Sequence, residues 1–169
     1  MLRERRSFSL VEVLVFTTIL SFFFVSASSV VTVVLRNMKF NEHKIIALHY
    51  ARQLEDWLRV QKEIDWGGNQ CSGSCCSGGC NFTQRVTQGS LSPKFCFAVS
   101  PIPDWPAPDS LGCNGVYSLG SIFLREVQFI SSPVGGYIGQ VNATITVSWL
   151  ELGQQKSVTS NAVFSILEQ

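Results

Sequence analysis

One acidic side chain interrupts an apolar stretch near the start of this 169-residue chain. The stretch runs from Phe8 to Leu35, and its only charged residue is Glu12. A charged side chain near the middle of a membrane helix costs about 2.5–3.5 kcal/mol on insertion scales, so an unpaired Glu12 is unfavourable in lipid. We therefore expect Glu12 to pair with a cation.

Cysteine is the second residue type that could do chemistry. All six cysteines lie in one region of the chain, at Cys71, Cys75, Cys76, Cys80, Cys96 and Cys113. This clustering favours disulfides formed in an oxidising compartment. Six thiols allow fifteen pairings and the sequence selects none of them, although the adjacent Cys75 and Cys76 are expected to bond to separate partners. A zinc site made by the first four cysteines is the alternative, but their spacing differs from the usual C-x2-C pairs.

No combination of residues in the sequence indicates catalysis. A Ser/His/Asp set, a phosphate-binding loop and a carboxylate pair all lack supporting context, so we expect no catalytic residue and no cofactor. His43 and His49 are six residues apart, about 120° on a helix, and we interpret them as solvated positions and not as a metal pair. We expect no metal site elsewhere. The formal net charge of +1 gives no basic field, so nucleic acid is not an expected partner.

Residues 8–64 are predicted to form one helix with two unlike halves. Neither glycine nor proline occurs before Gly67, so nothing forces a break. Residues 8–35 exceed the roughly 20 residues that cross a bilayer as a helix. Residues 36–64 instead carry apolar side chains at helical spacing, with charged residues between them. We expect the first half to lie in lipid or among other helices and the second half to pack on a globular domain.

Residues 65–169 are predicted to form this globular head. The Gly, Ser, Cys and Asn residues after Trp66 indicate a Cys-rich loop. Alternating apolar and polar residues indicate a half-buried strand at Tyr137–Leu150, and further strands are expected at Ser121–Ile130 and Lys156–Leu167. Too few helices follow for parallel crossovers, so the sheet should be antiparallel. The expected fold class is α+β, a long N-terminal helix packed on a small C-terminal antiparallel β-sheet.

The N-terminal sequence Arg5-Arg-Ser-Phe-Ser-Leu-Val-Glu12-Val-Leu-Val resembles that of type IV pilins and type II secretion pseudopilins. Members of that family have a short basic leader, a cleavage site, Phe as the first mature residue, Glu as the fifth and an uninterrupted apolar helix. The resemblance implies that residues 1–7 are a leader peptide, which prepilin peptidase removes by cutting between Ser7 and Phe8. It implies that Phe8 becomes the N-methylated terminus and that Glu12 forms the assembly salt bridge with a neighbouring subunit. Two features differ from the family pattern: Ser7 stands where Gly is usual, and the mid-helix Pro of many major pilins is missing.

The resemblance implies a structural subunit, most like a minor pilin or minor pseudopilin. Such a subunit inserts in the bacterial inner membrane and is assembled into, or primes, a type IV pilus or type II secretion pseudopilus. The implied partners are other pilin or pseudopilin subunits, prepilin peptidase, the inner-membrane assembly platform and membrane lipid. Three arginines precede the apolar stretch, so a single-pass chain should keep its N-terminus in the cytoplasm and its head outside.

Three other interpretations of the sequence stay open. The chain could be a major pilin subunit, or a membrane-anchored extracytoplasmic binding domain that does not polymerise. The third is a secretory signal peptide with a cleavage site at Val25-Ser-Ala27, although the apolar run continues past that point to Leu35.

Overall fold

The computed structural model describes residues 9–64, 66, 82–87, 92–109, 112–113, 118–134 and 137–165. Its helices are α1 (Leu10–Ile64) and α2 (Phe82–Val86), and its strands are β1 (Lys94–Cys96), β2 (Ser118–Leu119), β3 (Phe123–Val134), β4 (Tyr137–Glu151) and β5 (Gln154–Ser165). One long N-terminal helix packs on an antiparallel sheet, which confirms the expected α+β fold.

The sheet is built from β3, β4 and β5, with the two short strands at one side. The strand order is β1-β3-β4-β5, β2 also pairs with β3, and every pairing is antiparallel. The three strands predicted from the sequence are therefore confirmed, with ends that differ by at most four residues. Leu152 and Gly153 connect β4 to β5, and both have positive φ, as the tightest two-residue hairpin turns require.

The two parts of α1 belong to different compact units, one ending at Glu42 and the other beginning at His43. In the first unit every helical residue from Leu10 to Lys39 is exposed. In the second unit α1 has a buried stripe whose members recur every three or four residues: Ala47, Ala51, Leu54, Leu58 and Lys62. This spacing places the stripe on one helix face, which explains why the helix packs on the sheet in this part only.

The core of the second unit lies between that stripe and one face of the sheet. Alternate residues of the long strands face it, as the two-residue period of a strand requires. The buried residues of the three long strands are Phe123, Arg125, Val127, Phe129, Val141, Ala143, Ile145, Val147, Trp149, Ala162 and Phe164. Trp57 of α1 packs edge-to-face on Phe97 and Trp105, with ring centroids 5.6 and 5.2 Å away. Such contacts add to the stabilisation that comes from buried area alone.

A buried arginine interrupts this apolar face. Arg125 has no exposed surface and lies directly across from Val147 on β4. Burial lowers the pKa of the Arg125 guanidinium to about 10, and Tyr50 opposes this lowering. The side chain is therefore still a cation at neutral pH, and a buried cation needs hydrogen-bond acceptors around it.

Oxygen atoms from two other chain segments supply these acceptors. The Nε of Arg125 donates to the carbonyl of Phe97 at 3.3 Å, and one terminal nitrogen donates to the carbonyl of Val99 at 2.7 Å. The other terminal nitrogen donates to the carbonyl of Tyr50 at 3.2 Å and to Oε1 of Gln53 at 3.0 Å. Arg125 thus joins β3 to α1 and to the segment that follows β1.

We expect Arg125→Lys to lower the free energy of unfolding by about 3 kcal/mol, because a single ammonium cannot serve four acceptors and the others are left buried and unpaired. Arg52→Lys is the matched control, since Arg52 is exposed on α1, and its replacement should change stability by less than about 0.5 kcal/mol. Urea denaturation of the detergent-solubilised chain, followed by tryptophan fluorescence, measures both. Equal midpoints for the two variants would show that the Arg125 hydrogen bonds do not hold the head together.

Candidate functional site

The apolar part of α1, residues 10–35, is a long apolar surface on which every residue is exposed. Leu10 is 79% exposed and Phe22 is 76% exposed. Among the described residues, α1 alone is long and apolar enough to cross a membrane; its most apolar stretch has a mean hydropathy of 2.2 and is not buried at all. Apolar surface of this extent is typical of a segment covered by lipid or by another protein.

Hydroxyl side chains in this stretch are satisfied by the helix itself. Each donates to a backbone carbonyl three or four residues earlier, at 2.8–3.0 Å: Thr17, Thr18, Ser21, Ser26, Ser28, Ser29 and Thr32. Lipid offers no hydrogen-bonding partner, so these internal bonds reduce the cost of carrying the hydroxyls into a membrane. Such bonds compete weakly with the backbone ladder, yet α1 runs through them without a break.

Glu12 is the remaining polar side chain of residues 10–35, and its situation is different. Within the part of the chain that the structure describes, its carboxylate has neither a hydrogen-bond donor nor a cation as a partner. Its neighbours Val11 and Val13 are 67% and 51% exposed, so the carboxylate lies on an apolar surface. Glu12 is also in the first turn of α1, where the helix dipole favours a negative charge.

The start of the helix gives Glu12 a second candidate role. The carbonyl of Ser9 accepts hydrogen bonds from the backbone nitrogens of Glu12, at 3.0 Å, and Val13, at 3.2 Å. Ser9 and Glu12 have the spacing of a capping box, in which the acidic side chain bonds back to the start of the helix, although the Glu12 carboxylate does not make that bond in the described residues. This signal is present in the sequence and places the helix start at Leu10, two residues after Phe8. Ser7 and Phe8, the expected cleavage site, lie outside the described residues.

Two of the six candidate cysteines form a disulfide. Cys96 and Cys113 are joined by a 2.01 Å S–S bond, with their Cα atoms 5.5 Å apart. The structure thus makes one of the choices that the sequence left open. Cys96 ends β1 and precedes Phe97, so the bond holds the segment whose carbonyls accept from Arg125. The other candidates lie outside the described residues, where the zinc alternative stays a hypothesis: Cys71, Cys75, Cys76 and Cys80.

The head has a shallow polar cavity on the sheet face that does not contact α1. It is lined by Glu126, Thr146, Ser148 and Ser157, together with Cys113. One carboxylate without a neighbouring base does not make a catalytic arrangement. Across the described residues, no three His, Cys, Asp or Glu side chains are grouped so that they could hold a metal ion.

One interpretation from the sequence needs correction. His43 is not solvated, because its side chain is only 25% exposed and its Nδ1 lies 4.0 Å from Oε2 of Glu151. Its ring packs edge-on against Phe123, with centroids 6.1 Å apart. Helix periodicity could not show this, since both contacts come from strands that are distant in sequence. His49 is exposed, as expected.

Comparisons with known proteins add no function to this geometry. No family model matches the chain, and no match is found among the curated proteins or the solved structures. A function therefore has to be argued from the apolar helix, its carboxylate and the head.

Removal of the Cys96–Cys113 disulfide by the double change Cys96→Ala and Cys113→Ala should lower the free energy of unfolding by about 3 kcal/mol. The bond closes a sequence separation of 17 residues, and its loss frees the unfolded chain. Thermal unfolding of the detergent-solubilised chain, with and without reductant, measures the effect. If the double variant melts at the wild-type temperature under oxidising conditions, this disulfide does not stabilise the head.

Proposed function

We propose that the chain is a pilin-like structural subunit of the minor pilin or minor pseudopilin kind. It is inserted in the bacterial inner membrane by a single helix and then assembled into, or primes, a type IV pilus or type II secretion pseudopilus. One observation carries the proposal: α1 presents an exposed apolar surface whose one carboxylate, Glu12, has no partner among the described residues, and the helix continues into a part that packs on an antiparallel sheet. The role is structural and not catalytic.

The apolar surface of this helix must be covered by lipid before assembly and by other subunits after it. In the membrane, lipid covers residues 10–35, and the arginines before Phe8 favour a cytoplasmic N-terminus with the head outside. In a filament, the same surface is buried against the helices of neighbouring subunits. A head-to-tail contact of this kind repeats without closing and therefore generates a filament.

Glu12 supplies the interaction that fixes how neighbouring helices align. Cleavage between Ser7 and Phe8 would leave a positively charged amino group on Phe8, four residues before Glu12. A neighbouring subunit displaced by about 6 Å along the axis, four residues at about 1.5 Å each, brings its own Phe8 beside this carboxylate. In apolar surroundings a charge without its partner is strongly unfavourable. Any other displacement of the two helices would separate Glu12 from the amino group of Phe8 and is therefore disfavoured.

A membrane-anchored extracytoplasmic binding domain that does not polymerise is the second candidate function. The same span supports it, because an apolar helix is a sufficient anchor. It gives Glu12 no partner, however, and lipid disfavours an unpaired carboxylate. Variants of Glu12 therefore separate the two functions.

Prepilin peptidase should cut the chain between Ser7 and Phe8. Mass spectrometry of the protein purified from its native membranes should show Phe8 as the first residue, with the mass increased by one methyl group. Ser7→Gly should preserve or increase the processed fraction. An intact Met1, or a chain that begins at Ser28 after a signal-peptidase cut, would contradict the proposal.

Replacement of Glu12 should stop assembly without harming the head. We expect Glu12→Ala to reach the membrane at the wild-type level or slightly above it, since a charge that lipid disfavours is removed. Its recovery in sheared filaments should fall at least tenfold, because the pair with the neighbouring amino terminus is lost. Immunoblots of membrane and sheared fractions measure both quantities.

Glu12→Gln distinguishes the charge from the capping role, because Gln also fits the third helical position of a capping box. We expect it to fail in assembly as Glu12→Ala does. Glu63→Gln is the control, since this exposed carboxylate lies at the other end of α1. Normal filament recovery of Glu12→Gln would exclude the salt bridge and leave only the helix cap.

A further inference from the structure

Two turns at one end of the head expose apolar side chains. Leu152 in the β4–β5 turn is 83% exposed, Leu150 at the end of β4 is 69% exposed, and Ile122, just before β3, is 41% exposed. Phe123 pairs with Trp149 across the sheet, so both turns lie at the same end. A shallow groove connects Ile122 with Leu150. We call Ile122, Leu150 and Leu152 the turn cluster.

Leu152 is unfavourable at its position for two independent reasons. Its φ is +50°, a conformation that a side chain with a Cβ rarely adopts and that turns usually fill with Asn, Asp or Gly. Its apolar side chain also gains almost nothing from the head, because it is largely exposed. The hairpin turn accounts for the positive φ, so it is the exposed apolar side chain, together with Leu150 and Ile122, that indicates a contact outside the fold.

Tertiary contacts place the turn cluster where the chain enters the head. Glu151 lies between Leu150 and Leu152, and its Oε2 atom is 4.0 Å from Nδ1 of His43. His43 is the first residue of the compact unit that contains the sheet. Only residues 36–42 separate His43 from the end of the apolar stretch at Leu35. Seven residues span at most about 25 Å when extended and about 10 Å as a helix. A bilayer that holds the apolar stretch is therefore close to this end of the head.

We propose that the turn cluster contacts lipid at the extracytoplasmic face of the membrane before assembly, an inference that rests on the proposed membrane insertion. The 26 helical residues from Leu10 to Leu35 measure about 39 Å, against about 30 Å of hydrocarbon, so a helix that spans the bilayer can fit by tilting. Lys44 follows His43 on α1, and Lys156 on β5 pairs with Trp149 across the sheet. Both lysines are therefore near this end of the head, where long cationic side chains can reach lipid phosphates.

Quenching of tryptophan fluorescence by brominated acyl chains tests this contact. The full chain is reconstituted in vesicles of phosphatidylethanolamine and phosphatidylglycerol, with Leu152→Trp or Leu150→Trp as reporters. Ile130→Trp is the matched control, because Ile130 is 51% exposed on β3 but lies seven residues from the turn. Phe23→Trp, on the apolar part of α1, reports insertion itself. Near-UV circular dichroism checks that each variant is folded. If Leu152→Trp does not fold, Leu150→Trp is used as the reporter in its place.

Quenching above the wild-type background should be at least twofold greater for Leu152→Trp and Leu150→Trp than for Ile130→Trp, at every protein-to-lipid ratio. Equal values at all three sites, with Phe23→Trp quenched, would overturn the lipid contact while leaving insertion intact. Emission that shifts to the blue only at high protein density, without quenching, would assign the turn cluster to a second copy of the chain and also overturn the inference. If Phe23→Trp is not quenched, insertion itself is wrong and the inference fails with it.

Discussion

Burial of the Arg125 guanidinium is the constraint on which the rest of the head depends. Removing a cation from water costs several kcal/mol unless acceptors surround it. These acceptors are carbonyl and amide oxygens of Tyr50, Gln53, Phe97 and Val99, so α1 and the segment after β1 must both approach β3 at hydrogen-bonding distance. Ser100 donates to the same Gln53 oxygen at 3.0 Å, which adds a direct link between that segment and the helix. The buried stripe of α1 and the apolar sheet face then close around this polar centre.

The two parts of α1 have different surroundings, and the apolar part contributes nothing to the core of the head. Residues from His43 onward bury their apolar stripe in the head, whereas Leu10 to Lys39 bury nothing. The head therefore keeps its own core whether the apolar part is covered by lipid or by other subunits. The proposed transfer from a membrane to a filament would need this independence, because the cover of the apolar surface would change while the fold of the head does not.

Polar groups on the apolar helix divide into those that the helix satisfies and one that it does not. Each hydroxyl, such as that of Ser26, donates a hydrogen bond to a carbonyl of its own helix and therefore needs no partner outside it. The Glu12 carboxylate lies on the apolar surface without a hydrogen-bond partner among the described residues. An unpaired carboxylate is unfavourable in lipid, and in the proposed filament a cation of the neighbouring subunit would remove this cost and align the two helices. Leu152 is the apolar counterpart on the head, because its side chain is 83% exposed and would be covered by the proposed contact with lipid.

The sequence by itself determined the features that depend on local periodicity and composition. The absence of Gly and Pro before Gly67 set a continuous helix, and alternation in residues 137–150 set the central strand of the sheet. It also identified Glu12 as the lone charge of the apolar stretch. Tertiary structure alone decided that Arg125 is buried, that Cys96 bonds to Cys113, and that His43 lies against Glu151. These outcomes depend on which distant segments become neighbours, and side-chain spacing along one element carries no information about the partner across the sheet.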